Sequence, residues 1–378
     1  MTGNEPLSGW HGTAELLLYA GRPGDGGVER MLVNTARGLA QRGVGVVLAT
    51  RGSDAPFLDQ LGDLAGHVVL YATRPEVELT RLLARLRPAV AISGKLDDDR
   101  VLVAARERAG TPTKTYFRVG NPLGVRVRTK TRTPWTAWWK RSQLKRLYRR
   151  PDGFIAVSRG NERDLRTELN VRGDRIRVLP NPVVTPGLIE DGSGVPDHPW
   201  FVEGEPPVVV AVGGMRQQKD FATLIRAFAR LRHQQECRLV LIGDGRQMAR
   251  LQSLVRALGI AADVAFPGWL SNPYPWVSSA SVLALSSLWE GFGNVIVEAL
   301  ALGTPVVATD CPYGPGEILQ GGAYGRLVPG RDDSAMAQAL SETLREPLSP
   351  TLLRQAVAPY TLEASAAAYA RALGLGPG

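Results

Sequence analysis

The chain lacks most of what would mark a secreted scaffold, a membrane span or a metal centre. Only two of its 378 residues are cysteine, Cys237 and Cys311, far apart in sequence. They give no disulfide framework, and such usage suits a reducing compartment. Four scattered histidines make no metal-ligand spacing. No apolar run approaches the ~18 residues needed to cross a bilayer. Leu16–Ala20 is too short for the core of a secretory signal, and the start carries Glu5 but no basic cluster. A cytoplasmic protein is the expectation.

What is present is ordinary for a soluble globular chain: 44% hydrophobic and 21% charged residues. The length suits two domains, each able to bury a core. Short β-like runs alternate with helical patterns throughout, so the class is α/β. In the first half the strand candidates are 16–20, 44–50, 68–71, 89–93, 113–119, 153–157 and 176–179, with a helix over 28–41. Pro180-Asn181-Pro182 stops that series, and 183–207 is rich in Gly, Pro and acids without periodicity. A second series follows: strands 208–212, 238–242, 264–266, 282–285, 306–309 and 326–328, with helices 221–231, 246–258, 334–344 and 362–373. This divides the chain into 1–182, 183–357 and a terminal segment 358–378.

Residues 285–310, LSSLWEGFGNVIVEALALGTPVVATD, are the most informative stretch. Glu290 and Glu298 bracket a glycine-containing turn, Gly291-Phe292-Gly293, and the start of a helix. Asn294 reads as the N-cap of the apolar run 295–302, which Gly303 and Pro305 end. The free amides of a helix start suit a phosphate. A carboxylate beside a phosphate is repelled by it and suits sugar hydroxyls, from which it accepts hydrogen bonds. Phosphate-seeking amides and hydroxyl-seeking carboxylates together suggest a nucleotide-sugar. The stretch follows one buried strand and precedes another, where open parallel sheets take ligands.

This segment resembles the Glu-x7-Glu motif of retaining family-4 glycosyltransferases. Gly26-Gly27-Val28-Glu29-Arg30, Gln218-Lys219-Asp220-Phe221, Ile242-Gly243-Asp244-Gly245 and the run 309–319 resemble further pieces of that family, in its order along the chain. The resemblance implies two Rossmann-like domains facing across a cleft (the GT-B fold), with the terminal helix crossing back onto the N-terminal domain. It implies a retaining, metal-independent transfer from a nucleotide-diphosphate-sugar, UDP- or GDP-linked, which is a substrate rather than a cofactor. The acceptor would be a hydroxyl of a polysaccharide or lipid-linked glycan precursor.

The same resemblance implies residue roles. Gly26 and Gly27 would face the donor phosphate. Lys219 would contact the diphosphate, stabilising the charge it gains as the glycosidic bond breaks. The family pairs that lysine with an arginine five residues earlier, where this chain has Gly214; Arg216 is the candidate replacement. Glu298 would hold the ribose hydroxyls and Glu290 those of the donor sugar. The amides of Gly293, Asn294 and Val295, with Phe292 in the same turn, would meet the phosphates or sugar, and Phe266 lies in the segment bracketing the nucleobase. Trp269 reads as a buried tryptophan rather than a stacking one. On the acceptor side many relatives carry a histidine after the strand 113–119; here Arg118 and Asn121 occupy the region. Arginine is no general base at neutral pH. A front-face mechanism, in which the departing phosphate oxygen takes the acceptor proton, needs none. Asp97-Asp98-Asp99 has an Asp-x-Asp spacing but reads as a helix-capping cluster rather than a Mg²⁺ site, with Asp97 as a polar acceptor-side residue.

The net charge of +9 is unevenly placed, with 118–150 rich in Arg and Lys and poor in acids. Trp135, Trp138 and Trp139 are interleaved with them. That pattern reads as an anionic-membrane surface, giving a peripheral protein at the inner face of a membrane, or as a solvated basic helix whose tryptophans are core. No nucleic-acid motif supports a third reading. Two other functions stay open. Gly24-x-Gly26-x-x-Glu29 resembles half a dinucleotide fingerprint, as in an NADP-dependent oxidoreductase, but leaves Glu290 and Glu298 unexplained. A non-catalytic sugar-nucleotide-binding protein is the other.

Overall fold

The computed structural model describes residues 13–21, 26–52, 57–61, 65–70, 74–125 and 133–376. Two compact units divide the chain: 1–183 with 360–378, and 184–359. Gly24, Asp25 and the basic run 126–132 lie outside the described residues.

Unit 1 is a seven-stranded sheet in the order β3-β2-β1-β4-β5-β6-β7. Its strands are β1 (Leu16–Ala20), β2 (Val46–Thr50), β3 (Gly66–Val69), β4 (Val90–Ser93), β5 (Lys114–Val119), β6 (Gly153–Ala156) and β7 (Ile176–Val178). Every pairing is parallel. Parallel strands are covered on both faces, which is why they read as unbroken apolar runs. Along β1, Leu16, Leu18 and Ala20 enter one core while Leu17 and Tyr19 enter the other. The helices used below are α1 (Gly27–Gln41), α2 (Leu96–Ala109) and α3 (Pro134–Leu147).

Unit 2 is a six-stranded parallel sheet in the order β10-β9-β8-β11-β12-β13. Its strands are β8 (Val208–Val212), β9 (Arg238–Ile242), β10 (Val264–Gly268), β11 (Val282–Leu285), β12 (Val306–Thr309) and β13 (Arg326–Val328). After β8 comes α4 (Phe221–Arg232), and after β11 comes α5 (Asn294–Leu302). Phe221, Leu224, Ile225 and Phe228 of α4 share one core with Leu239 and Leu241 of β9.

The last helix, α6 (Leu362–Leu373), belongs to unit 1 and packs on α1. A Cβ on Gly38 would lie 3.0 Å from Ala366 Cβ and 3.1 Å from the Leu362 carbonyl, so glycine permits that approach. Thr361 caps α6 by accepting from the Ala364 amide at 3.1 Å. Ser365 Oγ donates to the Pro180 carbonyl at 2.7 Å, and the Val183 amide to the Tyr360 carbonyl at 3.0 Å.

Three local expectations need correction. Trp269 is exposed, not buried. The cap of α5 is Gly293, at φ 102°, with Asn294 as the first helical residue. A positive φ is tolerated by glycine and strains asparagine less than most residues, but the site fell to the glycine. The aspartates 97–99 lie within the first turn of α2, whose N-cap is Lys95, and make no side-chain cap there. They still complement the positive end of the helix.

Candidate active site

In unit 2 the strand order runs outward from β8 and β11, so the carboxyl ends of these two strands are the switch point at which open parallel sheets take ligands. The loop after β8 carries Arg216 and Lys219; the loop after β11 carries Glu290 and leads into α5. Lys219 Nζ lies 2.6 Å from Glu290 Oε1. Ser287 Oγ donates to the same oxygen at 2.6 Å. Both partners are largely buried, with 19% and 8% of their side chains exposed. Glu290 Oε2 has no hydrogen-bond partner among the described residues.

The surrounding bonds hold this pair rather than extend it. Ser286 Oγ donates to the Lys219 carbonyl at 2.7 Å, and Gln218 Nε2 to the Trp289 carbonyl at 2.9 Å. The Leu288 amide donates to the Gln218 carbonyl at 2.8 Å, so the two loops are stitched along their backbones. Thr309 Oγ1, at the end of β12, donates to the Ser287 carbonyl at 2.6 Å. The stem of Lys219 crosses Gly213, where a Cβ would lie 2.9 Å from Lys219 Cε. Gly314, at φ 122°, packs against the Phe292 carbonyl so closely that any Cβ would collide with it. Gln218 and Thr309 stood in the motifs quoted above without a role of their own; Ser286 and Ser287 were given none either, and the paired serines directly after β11 were the available signal.

Arg216 is exposed, and its side chain lies over Gly214, with Nε 3.2 Å from where a Cβ would stand. The guanidinium carbon lies 3.7 Å from the same point, so the positive group sits beside position 214. Glu298 is buried on α5, one turn beyond Asn294. Phe292 is buried and Val295 half-buried. Phe266 is half-buried, packed against the edge of the unit 2 core. Cys311 is buried beside this centre. Burial first, then the Glu290 charge, pushes its thiol up to about 12.

In unit 1, Gly26 is the N-cap of α1 and Gly27 its first residue, both exposed. Glu29 is buried and bonded to Lys95. Arg118 is buried at 3% exposure and donates from Nη2 to Asn181 Oδ1 at 2.5 Å. Asn121 is exposed, and so is Asp97; the buried aspartates are Asp98 and Asp99. Asp99 accepts from Ser93 Oγ at 2.7 Å and from the Tyr148 hydroxyl at 3.3 Å, which makes it structural. No group of three or more His, Cys, Asp or Glu placed to hold a metal occurs among the described residues.

Residues 25–185 match the family model described as Glycosyltransferase Family 4, and residues 206–346 that described as Glycosyl transferases group 1. The chain belongs to the glycosyltransferases that these two domains define. Among curated relatives, the lipopolysaccharide core biosynthesis glycosyltransferase LpsE of Rhizobium meliloti (strain 1021) is 28% identical over 85% of this chain and 86% of its own. An uncharacterized glycosyltransferase of Methanocaldococcus jannaschii is 29% identical over 46% of this chain; the match spans 44% of that relative's length. Anabaena HepE, solved in complex with UDP-glucose, aligns with a TM-score of 0.76 at 18% identity, covering 95% of this chain and 99% of that one. That likeness establishes the two-domain GT-B fold.

Proposed function

We propose that this chain transfers a sugar, with retention of anomeric configuration and without a metal, from a UDP- or GDP-linked donor to a hydroxyl of a polysaccharide or lipid-linked glycan precursor. The observation that carries the reading is the Lys219–Glu290 pair at the β8/β11 switch point, beside the start of α5. An ammonium has three N–H donors and Glu290 takes one, so Lys219 keeps donors for a diphosphate. Its charge would matter most as the leaving phosphate becomes more negative, which is selective stabilisation of the transition state. Arg216 would add a second cation from its place over Gly214. Glu290 Oε2 would accept a hydroxyl of the donor sugar, and Glu298 the ribose hydroxyls. The departing phosphate oxygen would take the acceptor's proton, which fits a front-face route that needs no side-chain base. The names of the relatives, lipopolysaccharide core biosynthesis among them, support a glycan acceptor.

We propose, in addition, that α3 rests on an anionic membrane surface. Trp135, Trp138 and Trp139 are 71%, 59% and 57% exposed, and Trp135 stacks on Trp138 with ring centroids 5.2 Å apart. Arg141 and Arg150 are paired with Glu168 and Glu107, leaving Lys140, Lys145, Arg146 and Arg149 without ion pairs among the described residues. Among the described residues no helix is long and apolar enough to cross a membrane.

A panel of nucleotide-sugars tests the catalytic reading. One UDP- or GDP-sugar should raise the melting temperature and be consumed, with EDTA making no difference. Stabilisation by NADP instead, or stabilisation without any turnover, would replace it with the oxidoreductase or the sensor reading.

A further inference from the structure

The two adjacent serines after β11 spend their hydroxyls in different directions. Ser286 Oγ donates to the Lys219 carbonyl at 2.7 Å and so holds backbone. Ser287 Oγ donates at 2.6 Å to Oε1 of Glu290, a side chain three residues on. Lys219 Nζ reaches the same oxygen at 2.6 Å from the other loop. Two donors from two loops thus converge on one carboxylate oxygen and fix the plane of the group. With one donor alone, the carboxylate could swing about a single bond. Ser287 is fully buried and Glu290 6% exposed, which leaves little room for water to replace a lost donor. Held at Oε1, the carboxylate keeps the lone pairs of Oε2 for an incoming O–H.

Ser287 is itself held from β12. β11 and β12 pair in parallel, with Leu285 opposite Ala308 as the last partners in register. Beyond them the Asp310 amide turns to the other side and donates to the Val328 carbonyl of β13 at 2.7 Å. A side chain therefore makes the connection back to the β11 loop: Thr309 Oγ1 donates to the Ser287 carbonyl at 2.6 Å. Thr309 is fully buried, and a β-branched side chain has few rotamers open to it. A buried carbonyl without a donor is costly, so this bond settles where Ser287 sits.

We infer that Thr309 and Ser287 are positioning residues for glycosyl transfer, a relay from the end of β12 that aims Glu290 Oε2 at a hydroxyl of the donor sugar. These roles rest on the glycosyl-transfer reading and add to it two residues that act through Glu290 rather than on the donor. The relay serves the sugar part of the donor. The diphosphate is left to Lys219, whose carbonyl is held by Ser286 and not by Ser287 or Thr309. Substitution therefore separates the two halves of the donor.

The probes are the nucleotide-sugar that the panel selects and the UDP or GDP it contains. Ser287→Ala removes the second donor on Oε1. Thr309→Val removes the relay's first hydroxyl at nearly constant shape, and Thr309→Ser keeps it. Ser287→Ala should lower kcat/KM for the sugar-linked donor about 10–100-fold, the range for a lost hydrogen bond to a charged group. Calorimetric affinity for the sugar-free diphosphate should stay within about 2-fold of wild type. Thr309→Val should show the same split at about 3–10-fold, the range for a neutral bond, and Thr309→Ser should return to near wild type. The double variant should be no worse than Ser287→Ala alone, because both residues act along one route. Equal losses for the sugar-linked and sugar-free ligands would overturn the relay, and so would additive losses in the double variant. A wild type that consumes no nucleotide-sugar would end the glycosyl-transfer reading and these roles with it. An active wild type beside an unaffected Ser287→Ala would end these roles alone.

Discussion

A buried thiol and a buried ion pair show how strongly single residues here depend on their surroundings. Cys237 and Cys311 are both pushed up to about 12, chiefly by burial, so neither carries thiolate at neutral pH. Titration with a thiol reagent at pH about 8 should find no reactive cysteine in the folded protein and two after denaturation. Fast labelling of Cys311 in the native state would place it in solvent and contradict the packing around Glu290. Lys219→Met should lower kcat by about 100-fold, because a preorganised charge on the departing diphosphate is lost. It should also cost about 3–5 kcal/mol of stability, since Glu290 is left buried without its partner. Denaturant unfolding read beside the kinetics checks both effects; full activity in the variant would remove Lys219 from the mechanism. Glu290 and Lys219 were singled out by the motifs that carry them, whereas their mutual contact was not legible in the sequence. A bond across 71 residues depends on β8 and β11 being neighbours, which no local pattern states.

At the scale of elements, the alternating pattern identified most strands, with several matching residue for residue, such as β8 and β11. Boundaries drifted where a strand starts on residues without an apolar signal, as at β3, which begins with Gly66 and His67 rather than at Val68. The tryptophans of α3 illustrate a reading that sequence left open: their spacing is compatible with a core stripe, but the buried side of that helix is Leu144 and Leu147. The burial of Asp98 was hidden because three adjacent aspartates look alike until the helix start rotates one toward Gly21. The closing helix α6 gives a sharp test. Tyr369 is fully buried, and its hydroxyl has no partner among the described residues. Tyr369→Phe should therefore be neutral or slightly stabilising, while Tyr369→Ala should cost about 3–5 kcal/mol. Equal destabilisation by both, measured by thermal unfolding, would mean that the hydroxyl is bonded.

For the whole molecule, a charge of +9 gathered partly on α3 makes lipid association a matter of charge and aromatic anchoring together. The chain should sediment with vesicles containing phosphatidylglycerol and not with pure phosphatidylcholine. Binding should weaken as salt rises, since the Debye length shortens. Replacing Trp135, Trp138 and Trp139 by serine should abolish it while leaving donor turnover in solution intact. Salt-insensitive binding to neutral vesicles, or undiminished binding by the triple variant, would contradict the surface assigned to α3.

The most direct measurement of the catalytic account is calorimetric titration of UDP and GDP into the wild type and into Lys219→Met. One of the two diphosphates should bind the wild type and lose affinity about 10-fold or more in the variant, while its nucleoside monophosphate, lacking the second phosphate, should lose far less. Equal affinities in the two proteins would mean that the diphosphate is held elsewhere, and the site between β8 and β11 would have to be abandoned.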